Sequence, residues 1–158
     1  MARQKKDAAS RYREIRNSRA RHDYFIDETV EAGVVLTGTE VKSIRAGQAQ
    51  INDAFVRFDR GRPTLYHANI AEYSFGNFQN HAPYRPRRLL LNKREIRKWE
   101  QELKAGGKTV VPLRIYFKQG LVKVQLGLAR GKKLYDKRED LKKKVDKREM
   151  ERALSTRR

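Results

Sequence analysis

The residues best suited to chemistry are His22, Asp23, Asp27 and Glu31. In an extended chain, side chains an even number of positions apart share a face, so Asp23, Asp27 and Glu31 would line one side of a strand. Carboxylates so placed beside an imidazole could hold a divalent metal and activate water against a phosphodiester, as in a metal-dependent nuclease. The same alternation describes the wet face of a half-exposed strand. Nothing else in the chain favours catalysis. The other two histidines, His67 and His81, stand in no metal-ligand spacing, and there is no nucleophile elbow, phosphate-cradling glycine loop or Walker pattern. Cysteine is absent, which excludes disulfides, thiolate zinc sites and cysteine nucleophiles together. No catalytic residue, metal or cofactor is therefore expected.

Three other segments suit the binding of a polyanion. Arg19-Ala20-Arg21-His22 offers planar guanidinium forks that match phosphate geometry. The loop over residues 73–88 interleaves Tyr73, Phe75, Phe78 and Tyr84 with Arg85, Arg87 and Arg88; such side chains either stack on splayed bases or cover one end of a core. Gly127-Leu128-Ala129-Arg130-Gly131-Lys132-Lys133 combines a glycine that admits close backbone approach with two point charges for phosphates.

The overall charge agrees. The 158 residues carry 38 Lys and Arg against 19 Asp and Glu, a net charge of +19. Residues 1–21 hold +6 and residues 129–158 hold +7, so two basic arms flank a more ordinary middle. A surplus of this size repels itself, and a nucleic acid that neutralised it would gain from counterion release. No apolar run approaches the roughly 20 residues of a membrane-spanning helix. The basic N-terminus lacks the apolar stretch of a secretory signal. A cytoplasmic RNA-binding protein with no membrane partner is the expectation.

The elements that must position these residues are mostly short strands. Tyr24-Phe25-Ile26 and Val34-Val35-Leu36 read as one strand bent at Gly33 or as two strands. Thr39 can cap a short helix through Arg45, stopped at Gly47. Residues 54–58 and 63–70 flank a hairpin turn at Asp59-Arg60-Gly61-Arg62. Asn92 can cap a helix to about Lys104 with Ile96, Trp99 and Leu103 on one stripe. Residues 110–117 and 121–128 form a hairpin over Lys118-Gln119-Gly120, with Pro112 expected at an edge or strand start. The fold expected is mainly β: a small closed antiparallel OB-like barrel with about three short helices and a basic C-terminal tail. Residues 1–16 form a flexible basic arm, 17–130 the barrel and 131–158 the tail. In the tail, Asp136 and Glu139 have capping-box spacing, Glu139/Lys143 and Asp140/Lys144 are favourable pairs, and Leu141/Val145 and Met150/Leu154 make only a thin stripe. Such a helix is marginal alone, so the tail is expected to be disordered by itself and helical on a surface.

Five blocks, in order, give the chain a family likeness. They are His22-Asp23-Tyr24-Phe25-Ile26; Glu31-Ala32-Gly33; residues 38–47 (GTEVKSIRAG); Leu89-Leu90-Leu91-Asn92; and residues 127–133 (GLARGKK) followed by Asp136-Lys137-Arg138. Over about residues 17–140 the chain resembles the SsrA-binding proteins, which bind transfer-messenger RNA and rescue stalled ribosomes. The resemblance implies an OB-like barrel that binds the tRNA-like domain of that RNA, protein and RNA together imitating a tRNA. It implies a tail that enters the empty messenger channel near the decoding centre of the small subunit. Elongation factor Tu would be engaged indirectly, through the charged RNA. By the same resemblance Glu31, Leu90 and Asn92 match RNA-binding positions, and Gly131, Lys132 and Lys133 match a basic RNA-contact segment. Asp136, Lys137 and Arg138 match tail residues needed for tagging after binding, and Tyr135 stands where a ring would stack on a ribosomal base. Arg19, Arg21, His22, Lys42, Arg45 and Arg130 are expected to add RNA contacts, and Lys142, Lys143 and Lys144 ribosomal ones. The main rival is a structural ribosomal protein or another OB-fold RNA binder, which would share charge and barrel without engaging transfer-messenger RNA.

Overall fold

A computed structural model describes residues 12–76 and 78–156. Two long β-rich runs, β8 (Lys108–Lys118) and β9 (Leu121–Gly131), pair along their whole length. Gln119 and Gly120 both have positive φ, 52° and 76°, with Lys118 opposite Leu121. The hairpin loop is thus two residues, one fewer than expected, because this turn matches the strands' right-handed twist. A second such turn, Arg60 and Gly61, joins β4 (Phe55–Asp59) to β5 (Arg62–Tyr66).

β2 (Tyr24–Val34) is one continuous strand against β9. Its irregularity lies at Asp27, where the register shifts between Ile26 and Glu28, and not at Gly33. β7 (Arg87–Leu90), which lies partly in the expected loop, joins β2 to β5. All pairings are antiparallel, and their order β8-β4-β5-β7-β2-β9 returns to β8, so six strands form a closed ring. β1 (Ile15–Arg16) adds to β8, and β3 (Ala49–Gln50) pairs with β6 (Asn69–Ile70) apart from the ring. The expected strand over 63–70 divides because His67 takes a left-handed φ of 59°. Pro112 is buried inside β8, opposite Leu126, instead of at an edge; the register shift beside it accommodates its missing donor.

Inside the ring, Val110, Ile115, Phe117, Val124, Leu126 and Leu128 alternate inward along the hairpin and meet Ile51, Leu65 and Leu89. α3 (Lys93–Lys104) contributes Trp99, which is buried, with Leu103 packed beside it, as the apolar stripe requires. α2 (Gly38–Arg45) contributes Ile44. Its cap position is Thr37; Thr39 lies within the helix, and its hydroxyl lies 2.9 Å from His81 Nδ1. α1 (Ala20–Asp23) is a helix beyond those expected; Ala20 covers Val111, Leu113 and Ala129 on the other side of the hairpin. There are four helices among the described residues, the last being α4 (Leu134–Thr156), of which no residue is buried. Tyr12 packs on Phe117, with ring centroids 4.8 Å apart, and Ile15 is buried. The packed region therefore extends back past residue 17, while residues 1–11 of the expected arm lie outside the described residues.

Gly127 is a packing glycine. A Cβ there would lie 3.1 Å from Ile26 Cγ2 and 3.2 Å from Leu113 Cδ1, on the crowded side of the hairpin. Gly127→Ala is expected to cost about 1–3 kcal/mol through overpacking. A urea titration checks this as a lowered midpoint with unchanged slope; an unchanged midpoint would mean the pocket relaxes freely.

Candidate nucleic-acid interface

Glu31 is far in the chain from Leu90 and Asn92, yet all three line one groove of about 410 Å³. β2 carries Glu31, β7 carries Leu90, and Asn92 is the N-cap of α3. Gly33 stands opposite Leu90 in the β2–β7 pair, and a Cβ on Gly33 would come within 3.3 Å of Leu90 Cβ. The glycine thus lets Leu90, an exposed side chain, lie close along the groove wall. The Glu95 carboxylate accepts the Asn92 backbone N–H at 3.2 Å, which fixes the start of α3 at the groove. Arg62, Arg88 and Lys123 supply positive charge to the same lining.

Glu31 is held by neighbours the sequence did not single out. The Tyr116 hydroxyl donates to its carboxylate, and Lys118 Nζ lies 3.4 Å away. The Tyr116 hydrogen bond, and then Lys118, hold the Glu31 carboxyl below its ordinary range. Burial and the same carboxylate push Tyr116 up to about 12. Glu31 is therefore an ionised, fixed acceptor among cations. It can take hydrogen bonds from base or 2′-hydroxyl donors.

A second group gathers where β9 meets α4. Arg21 is exposed and His22 half-buried on α1. Asp23 Oδ1 is 2.9 Å from His22 Nδ1 and 3.3 Å from Lys137 Nζ; these hydrogen bonds, His22 first, lower the Asp23 carboxyl. Lys132 is nearly covered: Nζ donates to the Arg21 carbonyl at 2.8 Å, pairs with Asp140 and lies 4.9 Å from the Phe25 ring centroid. The close ion pair of Asp140 is thus with Lys132, and the expected partner Lys144 acts on it only as a more distant charge. Arg130 Nε binds Asp27 at 3.0 Å while its guanidinium lies over Phe25. Lys133 is exposed, and a Cβ at Gly131 would meet nothing within 4 Å, so the backbone there is open to an approaching ligand. The helix begins earlier than expected: Asp136 lies in its first turn and accepts the Lys133 N–H at 3.2 Å, and so is not the cap. Tyr135 and Arg138 are exposed, Lys137 is half-buried at Asp23, and Lys142, Lys143 and Lys144 project into solvent.

Three expected residues lie in neither group. Arg19 pairs with Asp53 at 3.2 Å, Lys42 Nζ lies 5.3 Å from the Tyr73 ring centroid, and the Arg45 guanidinium lies 5.8 Å from that of Tyr12. In the loop over 73–88, Phe75, Phe78 and Tyr84 are exposed. Arg87, by contrast, is completely buried and, with Arg85, binds Glu40 of α2.

The carboxylates of the nuclease reading do not converge. Asp23 belongs to α1 and binds His22 and Lys137, Asp27 binds Arg130 and Lys108, and Glu31 binds Tyr116 and Lys118. Among the described residues no group of three or more His, Asp or Glu is arranged to hold a metal ion. Among them, too, no helix is long and apolar enough to cross a membrane.

The chain is similar to known proteins. The family model described as SmpB protein matches residues 14–156. The SsrA-binding protein of Shouchella clausii (strain KSM-K16) is 55% identical over 141 residues, covering 89% of this chain and 90% of its own. That of Geobacter metallireducens (strain ATCC 53774 / DSM 7210 / GS-15) is 57% identical over 141 residues, covering 89% and 92%. A solved chain described under "tmRNA-SmpB: a journey to the center of the bacterial ribosome" is 50% identical, superposes with a TM-score of 0.65, and covers 77% of this chain and 85% of its own.

Proposed function

The chain belongs to the SmpB family of SsrA-binding proteins, and from that premise we propose that it binds the tRNA-like domain of transfer-messenger RNA and delivers it to stalled ribosomes for trans-translation. It acts by binding and not by catalysis. The observation that carries the reading is the convergence of Glu31, Leu90 and Asn92 on one cation-lined groove, away from the tail. Tyr24, paired with Gly131 at the tail's root, and Glu31 are separated along β2 by roughly 23 Å of extended chain. The RNA groove and the tail thus occupy different regions of the strand, as a protein that holds one RNA while probing another site requires.

The six-strand ring is read as a closed OB-like barrel. In the groove, Glu31 accepts from base or ribose donors, Leu90 packs on a base, and Asn92 reads an edge. Arg62, Arg88 and Lys123 meet phosphates. Gly131 and Lys133 give a second backbone contact, joined by Arg19, Arg21, His22, Lys42, Arg45 and Arg130. Lys132 acts by anchoring the tail's root. The tail from Gly131 on carries α4, a helix that buries no residue; it loses that helix when free and holds it in the messenger channel of the small subunit. There Tyr135 stacks on a ribosomal base, and Asp136, Lys137 and Arg138 read the decoding centre. Lys142, Lys143 and Lys144 follow the channel. The exposed Leu141, Val145, Met150 and Leu154 support this, since a helix that leaves its apolar side chains unpartnered depends on another surface for stability. Elongation factor Tu is met through the charged RNA, and the setting is the cytoplasm.

Glu31→Ala is expected to weaken transfer-messenger RNA binding by roughly tenfold or more, the usual worth of a well-placed base contact. Glu31 is partly exposed, so cooperative thermal unfolding persists. Filter binding alongside a melting curve checks both; full affinity in the variant would remove Glu31 from the RNA site.

A further inference from the structure

A second pocket lies apart from the Glu31 groove and has a different chemistry. It measures about 420 Å³ and is lined by Gln50, Asn52, Asp53, His67, Asn69 and Tyr84. This volume falls in the ordinary range for small-molecule sites. No Lys or Arg lines it, so it is poorly suited to a phosphate. Amides, a carboxylate and rings suit the edge and face of a nucleobase. We propose that this pocket binds an unstacked guanine base of RNA as a second nucleotide site.

The rings supply the stacking surface. Tyr66, Phe55 and His67 form a column, with centroids 5.7 and 5.3 Å apart and interplanar angles of 18° and 28°. His67 ends the column exposed, held by a left-handed backbone at φ 59°, a conformation that gathers at functional sites in non-glycine residues. On the pocket wall, Tyr84 is 60% exposed, and Asn69 Nδ2 fixes its hydroxyl at 3.1 Å. An exposed ring held in place is a platform a base can use at little entropic cost.

The polar groups select the base. Asp53 is exposed, and only its Oδ1 meets Arg19, so the carboxylate keeps acceptor capacity. Guanine presents two adjacent N–H donors on its Watson–Crick edge, which one carboxylate can bridge; adenine lacks the ring N–H. Ser18 holds Asn52 Oδ1 through its N–H at 3.0 Å, leaving the Asn52 amide donors for the O6 or N7 acceptors of guanine. Arg19, ion-paired to Asp53, stands at the rim for the adjoining phosphate.

The test uses the full chain and two short oligouridine RNAs, one with a central guanine and one with adenine there. Comparing the two cancels non-specific binding by the basic arms. The guanine probe is expected to bind about tenfold tighter at moderate salt. Asp53→Asn should abolish that preference. Tyr84→Ala should weaken the guanine probe about fivefold or more, and Tyr84→Phe, which keeps the ring, should retain most of the binding. Both sites are exposed, so all three variants should melt like the parent. Glu31→Ala should leave the preference untouched, which separates failure here from failure of the groove. A preference that is absent, that survives both Asp53→Asn and Tyr84→Ala, or that vanishes in Glu31→Ala overturns the proposal. Tyr84→Ala is then measured against transfer-messenger RNA and against isolated ribosomes. A loss with the first places the guanine in that RNA, and a loss with the second alone places it in ribosomal RNA. A loss with neither overturns the proposal.

Discussion

Truncation after Lys133 is expected to leave transfer-messenger RNA binding nearly intact and to abolish tagging of stalled chains. None of the helical residues of α4 is buried, so their removal takes nothing from the core. Lys137 and Asp140 tie the helix to the body through Asp23 and Lys132; the Lys137 pair is partly exposed and worth little, and Lys132 keeps the Arg21 carbonyl when Asp140 is removed. The Glu31 groove contains no residue of the tail. What disappears is a basic helix with Leu134, Tyr135, Leu141, Val145, Met150 and Leu154 exposed along it. Gel shift on the RNA and tag addition in a reconstituted translation reaction measure the two tasks separately. Normal tagging by the truncated chain would show that the tail has no part in the rescue step, and loss of RNA binding would show that the two tasks share a surface.

Glu40→Gln is expected to destabilise the fold by about 3–5 kcal/mol, the usual cost of removing one member of a buried ion pair. Glu40 and Arg87 are both 0% exposed; Arg87 Nε binds one carboxylate oxygen at 3.0 Å and Arg85 Nε the other at 2.8 Å. Arg87 also donates to the carbonyls of Ala68 at 2.8 Å and Pro83 at 3.0 Å. The cluster thereby ties α2, β7 and the loop before it into one unit. Without the carboxylate, the Arg87 charge is left buried and uncompensated, and a domain of ordinary stability has only about 5–15 kcal/mol to lose. Burial raises the Glu40 carboxyl, but the Arg85 hydrogen bond and the Arg87 charge together outweigh it, so its folded-state value lies below the ordinary 4.5. A depressed carboxylate contributes stability fully present above the unfolded value and lost as pH falls through the folded one. The parent should therefore lose stability from about pH 4.5 downward, and Glu40→Gln should show a lower midpoint at neutral pH with a shallower acid decline. Urea titrations at neutral and acid pH test both; equal acid slopes would mean that other carboxylates dominate.

The same cluster marks where sequence reasoning stops. Arg85 and Arg87 lie among aromatics, prolines and polar residues, a composition that reads either as a base-stacking loop or as cover for one end of the core, and in neither case as a buried guanidinium. Arg87 is instead buried in β7, because Glu40, from a distant helix, supplies the opposite charge. That pairing is a tertiary fact with no local signal. The β8–β9 hairpin and α3 were legible because their signals are local: β-branched runs around a Gln-Gly turn, and Ile96, Trp99 and Leu103 on one helical stripe. The bulge at Asp27 was not legible, since an acidic residue in an alternating run looks like any outward position. The first contact group was legible only through family likeness. Physical reading of Glu31 alone left a metal site beside the wet face of a half-exposed strand, and the partners that fix it, Tyr116 and Lys118, come from the distant hairpin. Lys132 shows the converse: a lysine in a basic run looks like a phosphate contact, yet its ammonium is folded onto Arg21, Asp140 and Phe25.

The central claim is selective recognition of one RNA by a chain whose net charge of +19 would bind any RNA at low salt. The most direct test measures binding of the full chain to transfer-messenger RNA and to an equally long, unrelated folded RNA across a salt series. Non-specific binding should fall by on the order of tenfold or more between low and moderate salt for both. A preference of about a hundredfold or more for transfer-messenger RNA should survive at moderate salt. Two curves that collapse together would contradict the account and make the chain a general polyanion binder.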